Sequence, residues 1–309
     1  MRCKATQFMN AERSIHGEAN SRVAKQRNSL HLGVSMLADL HIHSVYSDGS
    51  YSPDEICRRA ASRGIGLISI TDHDTLAGME AKRTCAEKYG LSYLSGWEVS
   101  AYEGRVKVHV LGYGCKMGAA YETFVKERAE ASFLRAKDSV EKFQKIGVPV
   151  TLDEVLAERS SPDLPVHTMH IARAANRYLG IFQGEVYERY LAPRKPANSN
   201  IGRPSPYQAI DCIHAAGGIA VIAHPGRITL DFDERERLLI SLFKHGADGI
   251  ESTYPTHTEK DVAYFRALAQ KYAILETGGS DTHYEDGVRA IGSPQFSPSR
   301  DLLEKLSIL

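Results

Sequence analysis

The globular part of the chain opens with LADLHIH at residues 37–43, and the polar loop SVYSDG follows at residues 44–49. We interpret residues 38–43 as a β-strand. Side chains two residues apart on a strand point the same way, so His41 and His43 converge on one side of the sheet. SPDE at residues 52–55 then combines an N-cap serine, a proline and a capping-box glutamate, which predicts the start of a helix.

The same order of strand and helix recurs along the chain. Several strand candidates are continuous apolar runs, as in parallel strands that are buried on both faces. Further capped helices are predicted to start at Thr151 and Ser205. This alternation predicts either a parallel α/β barrel or a doubly wound sheet. The strand candidates are Ala38–His43, Leu67–Thr71, Val106–Tyr113, Ile219–His224, Asp248–Ser252 and Ala273–Thr277, with a shorter possible strand at Leu91–Ser95.

One long segment breaks this alternation. Residues 121–199 contain helical patterns at Tyr121–Ile146, Leu152–Arg159 and His167–Leu179, without a convincing strand. We interpret this segment as a helical insertion that caps the site. Residues 1–36 are interpreted as a flexible N-terminal tail, or as sequence upstream of the true start, and receive no catalytic role.

Composition restricts the class of protein. The 309 residues carry 38 Lys and Arg against 38 Asp and Glu, which argues against electrostatic coating of nucleic acid but allows a local basic patch. The five cysteines are widely spaced and form no C-x-x-C pair, so a disulfide framework is not expected. Without an apolar run of ~18 residues, no membrane span is predicted, and we expect a cytoplasmic protein.

Histidines and acids recur where the predicted strands end, the edge that binds ligands in α/β barrels and open α/β sheets. Taken singly, His109 could be a buried core histidine and Glu98 an ion-pair partner. Taken together, six buried imidazoles and three carboxylates would each need a polar partner, and a shared metal cluster provides one for all. The predicted ligands are His41, His43, Asp48, His73, Glu98, His109, His224, Asp281 and His283.

Other histidines receive no metal role. His16 and His31 lie in or near the tail, His214 and His245 lie in predicted helices, and His257 is predicted at the surface. His167 and His170 lie in the helical insertion, where a cap could contact the substrate. Asp72 and Asp74 flank His73, and we expect them to orient ligand imidazoles, although Asp74 could equally cap the next helix.

The ordered motifs at residues 39–43, 71–74, 109, 223–225 and 280–283 resemble those of the PHP (polymerase and histidinol phosphatase) superfamily. The resemblance spans roughly Leu37 to the C-terminus. With Gly96-Trp97-Glu98 and the helical insertion, it is similar to the stand-alone bacterial branch, which includes 3′,5′-nucleotide bisphosphate phosphatases and 5′-to-3′ exoribonucleases. It implies a distorted (β/α)7 TIM-like barrel, residues 37–120 and 200–309, with a mainly helical insertion at residues 121–199.

The resemblance also implies a trinuclear site with ligand roles. One metal would be held by His41, His43, Glu98 and Asp281, a second by His73, His283 and Asp48, and a third by Glu98, His109 and His224, with Glu98 bridging. One departure is visible. Members of this branch often carry Gly-Arg-Pro-His before an Ala-Arg pair, whereas residues 167–173 read HTMHIAR, so that the first arginine is missing.

A site with six imidazoles is too rich in nitrogen for calcium or magnesium, so we expect two or three divalent transition metals, manganese first, with iron or zinc as alternatives. A metal-bound hydroxide held by Glu98, Asp281 and His73 would attack phosphorus in line. The substrate phosphate would bind arginine forks. The candidate substrate contacts are Arg227, Arg173, Arg203 and His170.

The predicted function is metal-dependent hydrolysis of a phosphate ester of a small nucleotide or short RNA, with neither a duplex nucleic acid nor a membrane as partner. Histidinol-phosphate phosphatase would use the same ligands with another pocket and remains an alternative. A non-catalytic metal-binding accessory module is a second alternative. A nucleotide-binding dehydrogenase is disfavoured, because the glycine cluster at residues 112–118 does not match the G-x-G-x-x-G spacing.

Overall fold

The computed structural model describes residues 36–308, and two β-sheets form its centre. The first sheet is parallel and has the strand order β1-β2-β3. Its strands are β1 (Ala38–Ile42), β2 (Leu67–Ile70) and β3 (Ser92–Tyr93). The second sheet has the order β4-β5-β6-β7-β8. Its strands are β4 (Gly96–Glu103), β5 (Val106–Tyr113), β6 (Ile219–Ile222), β7 (Gly249–Thr253) and β8 (Leu275–Gly278).

The second sheet is mixed, which corrects the expectation of parallel strands throughout. Strands β4 and β5 form an antiparallel hairpin, and β5 also pairs antiparallel with β6, whereas β6, β7 and β8 are parallel. Gly104 in the hairpin turn has φ 58°, a conformation that glycine adopts without a steric penalty. The sequence interpretation placed Glu98 after the possible strand Leu91–Ser95. That strand is present as β3, but Glu98 lies inside a further strand that was not predicted, β4, where it pairs with Leu111 of β5.

The two sheets meet through single bridges rather than through continuous ladders. Ile42 bridges Thr282 on one side, and His73 bridges Glu98 on the other. A Cβ atom at Gly279 would lie 2.4 Å from the Cβ of His41, so the chain after β8 can approach β1 only because this residue is glycine. The fold is therefore mixed α/β, and a fully closed (β/α)7 barrel is not confirmed.

The helices begin largely where their capping residues predict. Thr151 and Ser205 form capping boxes with Glu154 and Gln208. Ser52 caps its helix without completing a box, because the Glu55 carboxylate accepts hydrogen bonds from two arginines instead. The helices are α1 (Pro53–Ser62), α2 (Met79–Lys88), α3 (Ala119–Lys145), α4 (Leu152–Leu156), α5 (Thr168–Leu179), α6 (Gln183–Val186), α7 (Pro206–Ala215), α8 (Phe232–His245), α9 (Glu259–Tyr272) and α10 (Arg300–Lys305).

Two of the apolar cores bury most of the helices. The larger one surrounds buried Trp97 and lies between the second sheet and helices α7, α8 and α9. The other lies among α3, α4, α5, α6 and the π-helical turn Tyr187–Leu191, around Phe143 and Val155. Between residues 119 and 191 the described chain contains no strand. Because these helices bury their apolar faces against one another, they form a packed unit beside the sheets.

Several expectations concern other parts of the chain. The prediction of a tail at residues 1–36 falls outside the described residues, except at Met36. The predictions for Cys3, His16 and His31 also fall outside them. Within residues 36–308, no helix combines the length and apolarity that a bilayer crossing requires. The four cysteines in this range are unpaired, as the sequence predicts.

Candidate metal centre

The end of β1 supplies two of the predicted ligands. His41 and His43 are fully buried, and their Nε2 atoms lie 3.2 Å apart. The loop after β1 folds back closely, because a Cβ at Gly49 would lie 2.3 Å from the carbonyl oxygen of His43. This fold brings Asp48 beside the imidazoles, with its Oδ1 3.8 Å from His43 Nδ1 and 3.3 Å from His283 Nε2.

Glu98 lies at the centre of the cluster. One carboxylate oxygen, Oε1, lies 2.7 Å from His109 Nδ1 and 3.0 Å from His224 Nε2, while Oε2 lies 3.0 Å from His73 Nδ1. Glu98 and His109 share a face because His109 pairs directly with Ser100, two residues beyond Glu98 on β4. A carboxylate with no exposed surface thus contacts three imidazoles from three strands or strand ends.

The segment after β8 brings Asp281 and His283 to the same place. Asp281 Oδ1 lies 3.2 Å from His43 Nε2 and 3.4 Å from His283 Nδ1. The backbone N–H of Asp281 donates to the carbonyl oxygen of His41 at 2.7 Å. Asp281 and His224 both have positive φ, 50° and 28°, and Asp74 has 55°. Such backbone conformations cost free energy and cluster at functional sites.

The electrostatics favour ionised carboxylates within this buried cluster. Burial raises the pKa of Glu98, but the imidazoles around it, His109 first, lower that pKa well below its usual range. The pKa values of Asp48 and Asp281 are low for the same reason, with His283 and His41 as their respective first partners. The centre therefore presents three negative charges and nitrogen donors in a buried space.

All nine predicted ligands come together. The donor atoms form three overlapping groups, each with all atoms within 4.8 Å of one another. His224 touches Glu98 but belongs to none of these groups. The groups are His43, Asp48, His73 and His283; His41, His43, Glu98 and Asp281; and His73, Glu98 and His109.

The donor set fits transition metals. Three buried atoms of the predicted ligands, His43 Nδ1, Glu98 Oε2 and His109 Nε2, make no hydrogen bond within the described residues, although Glu98 Oε2 lies 3.0 Å from His73 Nδ1. Buried donors and acceptors normally have partners, and a coordinated cation would occupy such atoms without further hydrogen bonds. Mixed imidazole and carboxylate ligands are typical of manganese, iron and zinc sites.

Glu251 supports the cluster from β7, and the sequence interpretation missed it. It is fully buried, its Oε1 lies 3.1 Å from His41 Nδ1, and its Oε2 accepts a hydrogen bond from the backbone N–H of His224 at 2.6 Å. A carboxylate behind a ligating histidine fixes the ring orientation and the tautomer. The available signal was an acid next to Ile250 inside the strand candidate Asp248–Ser252.

The expectation that Asp72 and Asp74 orient imidazoles was wrong. Asp72 accepts hydrogen bonds from the Ser44 backbone N–H and from the hydroxyls of Ser44 and Ser47, at 2.6–2.8 Å. It also lies 2.6 Å from Nζ of buried Lys82, so it anchors the loop that carries Asp48. Asp74 accepts from the Ser100 backbone N–H at 2.9 Å instead of contacting an imidazole. Nor does it cap the next helix, whose N-cap is Gly78.

A cavity of about 430 Å³ opens directly above this cluster. Arg173, Arg203 and Arg227, three of the four predicted substrate contacts, line the cavity. His170 does not line it, and both of its ring nitrogens contact the protein: Nδ1 accepts from the His167 N–H, and Nε2 lies 3.0 Å from the Ser47 carbonyl oxygen. The cavity wall also includes cations that sequence reasoning missed, namely Arg105, Lys107, Arg194, Lys195 and Arg289.

The cavity is strongly cationic although the whole chain has no net charge. Eight Lys or Arg residues line it, against four carboxylates, three of which belong to the ligand cluster. Arg227 Nη1 donates to the hydroxyl of Tyr254 at 3.0 Å, which holds the guanidinium beside Asp281. Lys107 Nζ donates a hydrogen bond to the Tyr187 hydroxyl at 3.4 Å. Such a wall is complementary to a phosphorylated anion.

Three histidines to which the sequence gave no metal role lie away from the cluster. His214 and His245 contact Asp248 and Asp211 near the surface. His257 is half-buried rather than at the surface, because Nδ1 lies 3.0 Å from the Ser252 carbonyl oxygen and Nε2 accepts from the Gly226 N–H. It therefore links the chain after β7 to the segment that follows His224.

Comparisons with known proteins agree with this architecture. The profile of the PHP domain matches residues 39–183. A 3′,5′-nucleoside bisphosphate phosphatase of Chromobacterium violaceum is 31% identical, and the alignment covers 84% of this chain and 92% of that protein. A phosphoribosyl 1,2-cyclic phosphate 1,2-diphosphodiesterase of Eggerthella lenta is 33% identical over 82% and 96%. A 5′-3′ exoribonuclease of Haemophilus influenzae is 31% identical over 82% and 92%.

Among solved structures, an amidohydrolase from Chromobacterium violaceum with bound sulfate is similar, with a TM-score of 0.78 and 29% identity. The superposition covers 88% of this chain and 96% of that one. The likeness thus extends over most of the chain.

Proposed function

The chain belongs to the PHP family, and from that premise we propose that it is a metal-dependent phosphoesterase acting on a nucleotide phosphate. The observation that carries this proposal is the position of Glu98. Its carboxylate contacts the imidazoles of His73, His109 and His224 at the floor of a cationic cavity. A buried donor cluster that opens to a wall of arginines and lysines is suited to phosphate esters.

The proposed ligands remain the nine residues of the cluster. One metal would be held by His41, His43, Glu98 and Asp281, and a second by Asp48, His73 and His283. A third would be held by Glu98, His109 and His224, with Glu98 as the bridge. Manganese is the proposed metal, with iron or zinc as alternatives. When bound, such cations lower the pKa of a coordinated water and neutralise charge on phosphate oxygens.

The side chains of the cavity would hold and orient the substrate. Glu98, Asp281 and His73 would lie closest to the reacting phosphate. Arg227, Arg173 and Arg203 would donate to phosphate oxygens through N–H groups other than those that contact Tyr254, Asp48 and Asp74. Lys107 adds a point charge from the strand that carries His109. His170 would act indirectly, because its hydrogen bond to Ser47 supports the loop of Asp48.

The proposed substrates are a 3′,5′-nucleotide bisphosphate or the 5′ end of a short RNA, as the names of two relatives suggest. The cyclic phosphodiester named for the third relative indicates that this framework accepts more than one phosphate ester. Histidinol phosphate remains the alternative substrate. Neither a membrane nor a nucleic-acid duplex is proposed as a partner, and the cytoplasm remains the predicted compartment.

We also propose a division of the chain into a catalytic unit and a cap. Residues 37–120 and 200–309 would form the catalytic unit, with its two sheets corresponding to a distorted (β/α)7 barrel. Residues 121–199 would form the cap. This division is supported by the separate apolar core of the helical segment and by the cavity between that segment and the ligand cluster.

The test is a parallel assay of the manganese-loaded protein with adenosine 3′,5′-bisphosphate, a short 5′-phosphorylated RNA and histidinol phosphate. We expect turnover of the first two, and a preference for histidinol phosphate would overturn the substrate assignment. His73→Ala and Asp281→Asn should abolish turnover while the circular dichroism spectrum stays unchanged. His245→Gln, at an exposed residue paired with Asp211, is the matched control and should keep full activity.

A further inference from the structure

His167 lies at the start of α5 and is a buried polar residue for which the ligand cluster gives no role. Only 5% of its surface is exposed, and the residue lines the cavity above the metal centre. Its Nε2 atom is buried and has no hydrogen-bond partner among the described residues. Its ring centroid lies 5.9 Å from that of His73, a proposed metal ligand.

The backbone of His167 is held by hydrogen bonds to His170, the third residue of α5. Its N–H donates to His170 Nδ1 at 3.1 Å, and its carbonyl oxygen accepts from the His170 N–H at 3.0 Å. The opposite nitrogen of the His170 ring, Nε2, donates to the carbonyl oxygen of Ser47 at 3.0 Å. One tautomer of His170 satisfies both contacts, so His167 is tied to the loop that carries Asp48.

Two simpler roles do not account for this residue. A purely structural residue in this place would be apolar, because a buried imidazole nitrogen without a partner loses the hydrogen bond that it makes with water. A metal ligand would have a nitrogen among the clustered donor atoms. The donor groups around His73 and Asp48 do not include His167. The ring therefore faces the space above the cluster rather than the cluster itself.

We propose that His167 binds the substrate directly, through a hydrogen bond from its ring to an oxygen of the phosphate positioned beside His73. This inference rests on the proposed phosphoesterase function and adds a residue to its binding site. Arg173, on the same helix, and Arg203 line the same cavity. The phosphate would thus be held from the helical segment above as well as by the metal centre below.

The test compares His167→Phe and His167→Ala, which remove the ring nitrogens, with His167→Gln, which keeps a donor near the position of Nε2. His245→Gln is the matched control. Inorganic phosphate binding to the manganese-loaded protein is measured by calorimetry, and kcat and KM are measured with the best nucleotide substrate. Manganese per chain is measured by elemental analysis.

We expect His167→Phe and His167→Ala to weaken phosphate binding and to lower kcat/KM by about 10- to 100-fold, the loss for one hydrogen bond to a charged group. His167→Gln should recover most of that loss, and the manganese content should stay unchanged in every variant. Unchanged phosphate affinity in the Phe and Ala variants would overturn the inference. Loss of manganese would also overturn it, because it would show that His167 is a metal ligand. If His167→Phe does not fold, His167→Ala decides, since it only removes atoms from the cavity wall.

The two proposals can fail separately. If the wild-type protein binds phosphate but hydrolyses none of the three substrates, the function proposed above fails. The effect of His167 on phosphate binding still tests the inference in that case.

Discussion

Glu251→Gln tests how the metal centre is held in place. Glu251 is 0% exposed, and its two oxygens contact two different groups: Oε1 lies 3.1 Å from His41 Nδ1, and Oε2 accepts from the His224 N–H at 2.6 Å. The carboxylate therefore turns His41 so that Nε2 faces Glu98 and Asp281, at 3.4 and 3.5 Å. It also stabilises His224 at its unusual φ of 28°.

The expected change in manganese affinity follows from the chemistry of these contacts. Glutamine has the shape of glutamate but only one oxygen, and because both partners of Glu251 are donors, one of them loses its acceptor. A hydrogen bond to a charged group contributes about 1.5–3 kcal/mol. Removing a group that orients a metal-bound histidine typically weakens metal binding by about 10- to 100-fold. We expect the manganese Kd of Glu251→Gln to rise by that factor, and its activity to recover in excess manganese.

The assay is calorimetric titration of manganese into chelator-treated protein. Glu276→Gln is the control, because Glu276 lies on the adjacent strand β8 and contacts Ser252 and Arg266 rather than the cluster. An unchanged manganese Kd in Glu251→Gln would refute the reasoning. An equal loss in Glu276→Gln would show that the effect is not specific to the contacts of Glu251.

Three further outcomes follow from buried contacts. Lys82→Met should destabilise the protein by about 3–5 kcal/mol in urea unfolding, because it leaves the Asp72 carboxylate buried without its cation; a loss below about 1 kcal/mol would contradict this account. Gly279→Ala should lower the free energy of unfolding by about 1–3 kcal/mol, because the new Cβ would lie 2.4 Å from His41 Cβ. An unchanged Tm would show that the segment after β8 can move away from β1 without loss of stability. Removing the metal with a chelator should lower Tm, and manganese at about 100 times its Kd should restore about 2.7 kcal/mol; a Tm insensitive to both would contradict metal binding at this cluster.

Local patterns were enough to predict most elements and the ligand residues. The alternation of His41 and His43 determines that their side chains share a face, because successive residues of a strand point to opposite sides. The apolar run Leu67–Ile70 and the caps at Thr151 and Ser205 likewise depend on neighbouring residues. These features were predictable because each physical cause lies within a few positions of its effect.

The tertiary structure decided which residues support the ligands. Strand β4 is a strand because it pairs with β5, and this pairing places Glu98 between His109 and His224. Glu251 meets His41 across 210 positions, and nothing near either residue in the chain indicates that contact. The sequence by itself determined the chemistry of the donors, since their residue types and strand positions are local properties. Only the tertiary structure determined which donors contact one another and which cations line the cavity above them. Both depend on contacts between segments that are distant along the chain.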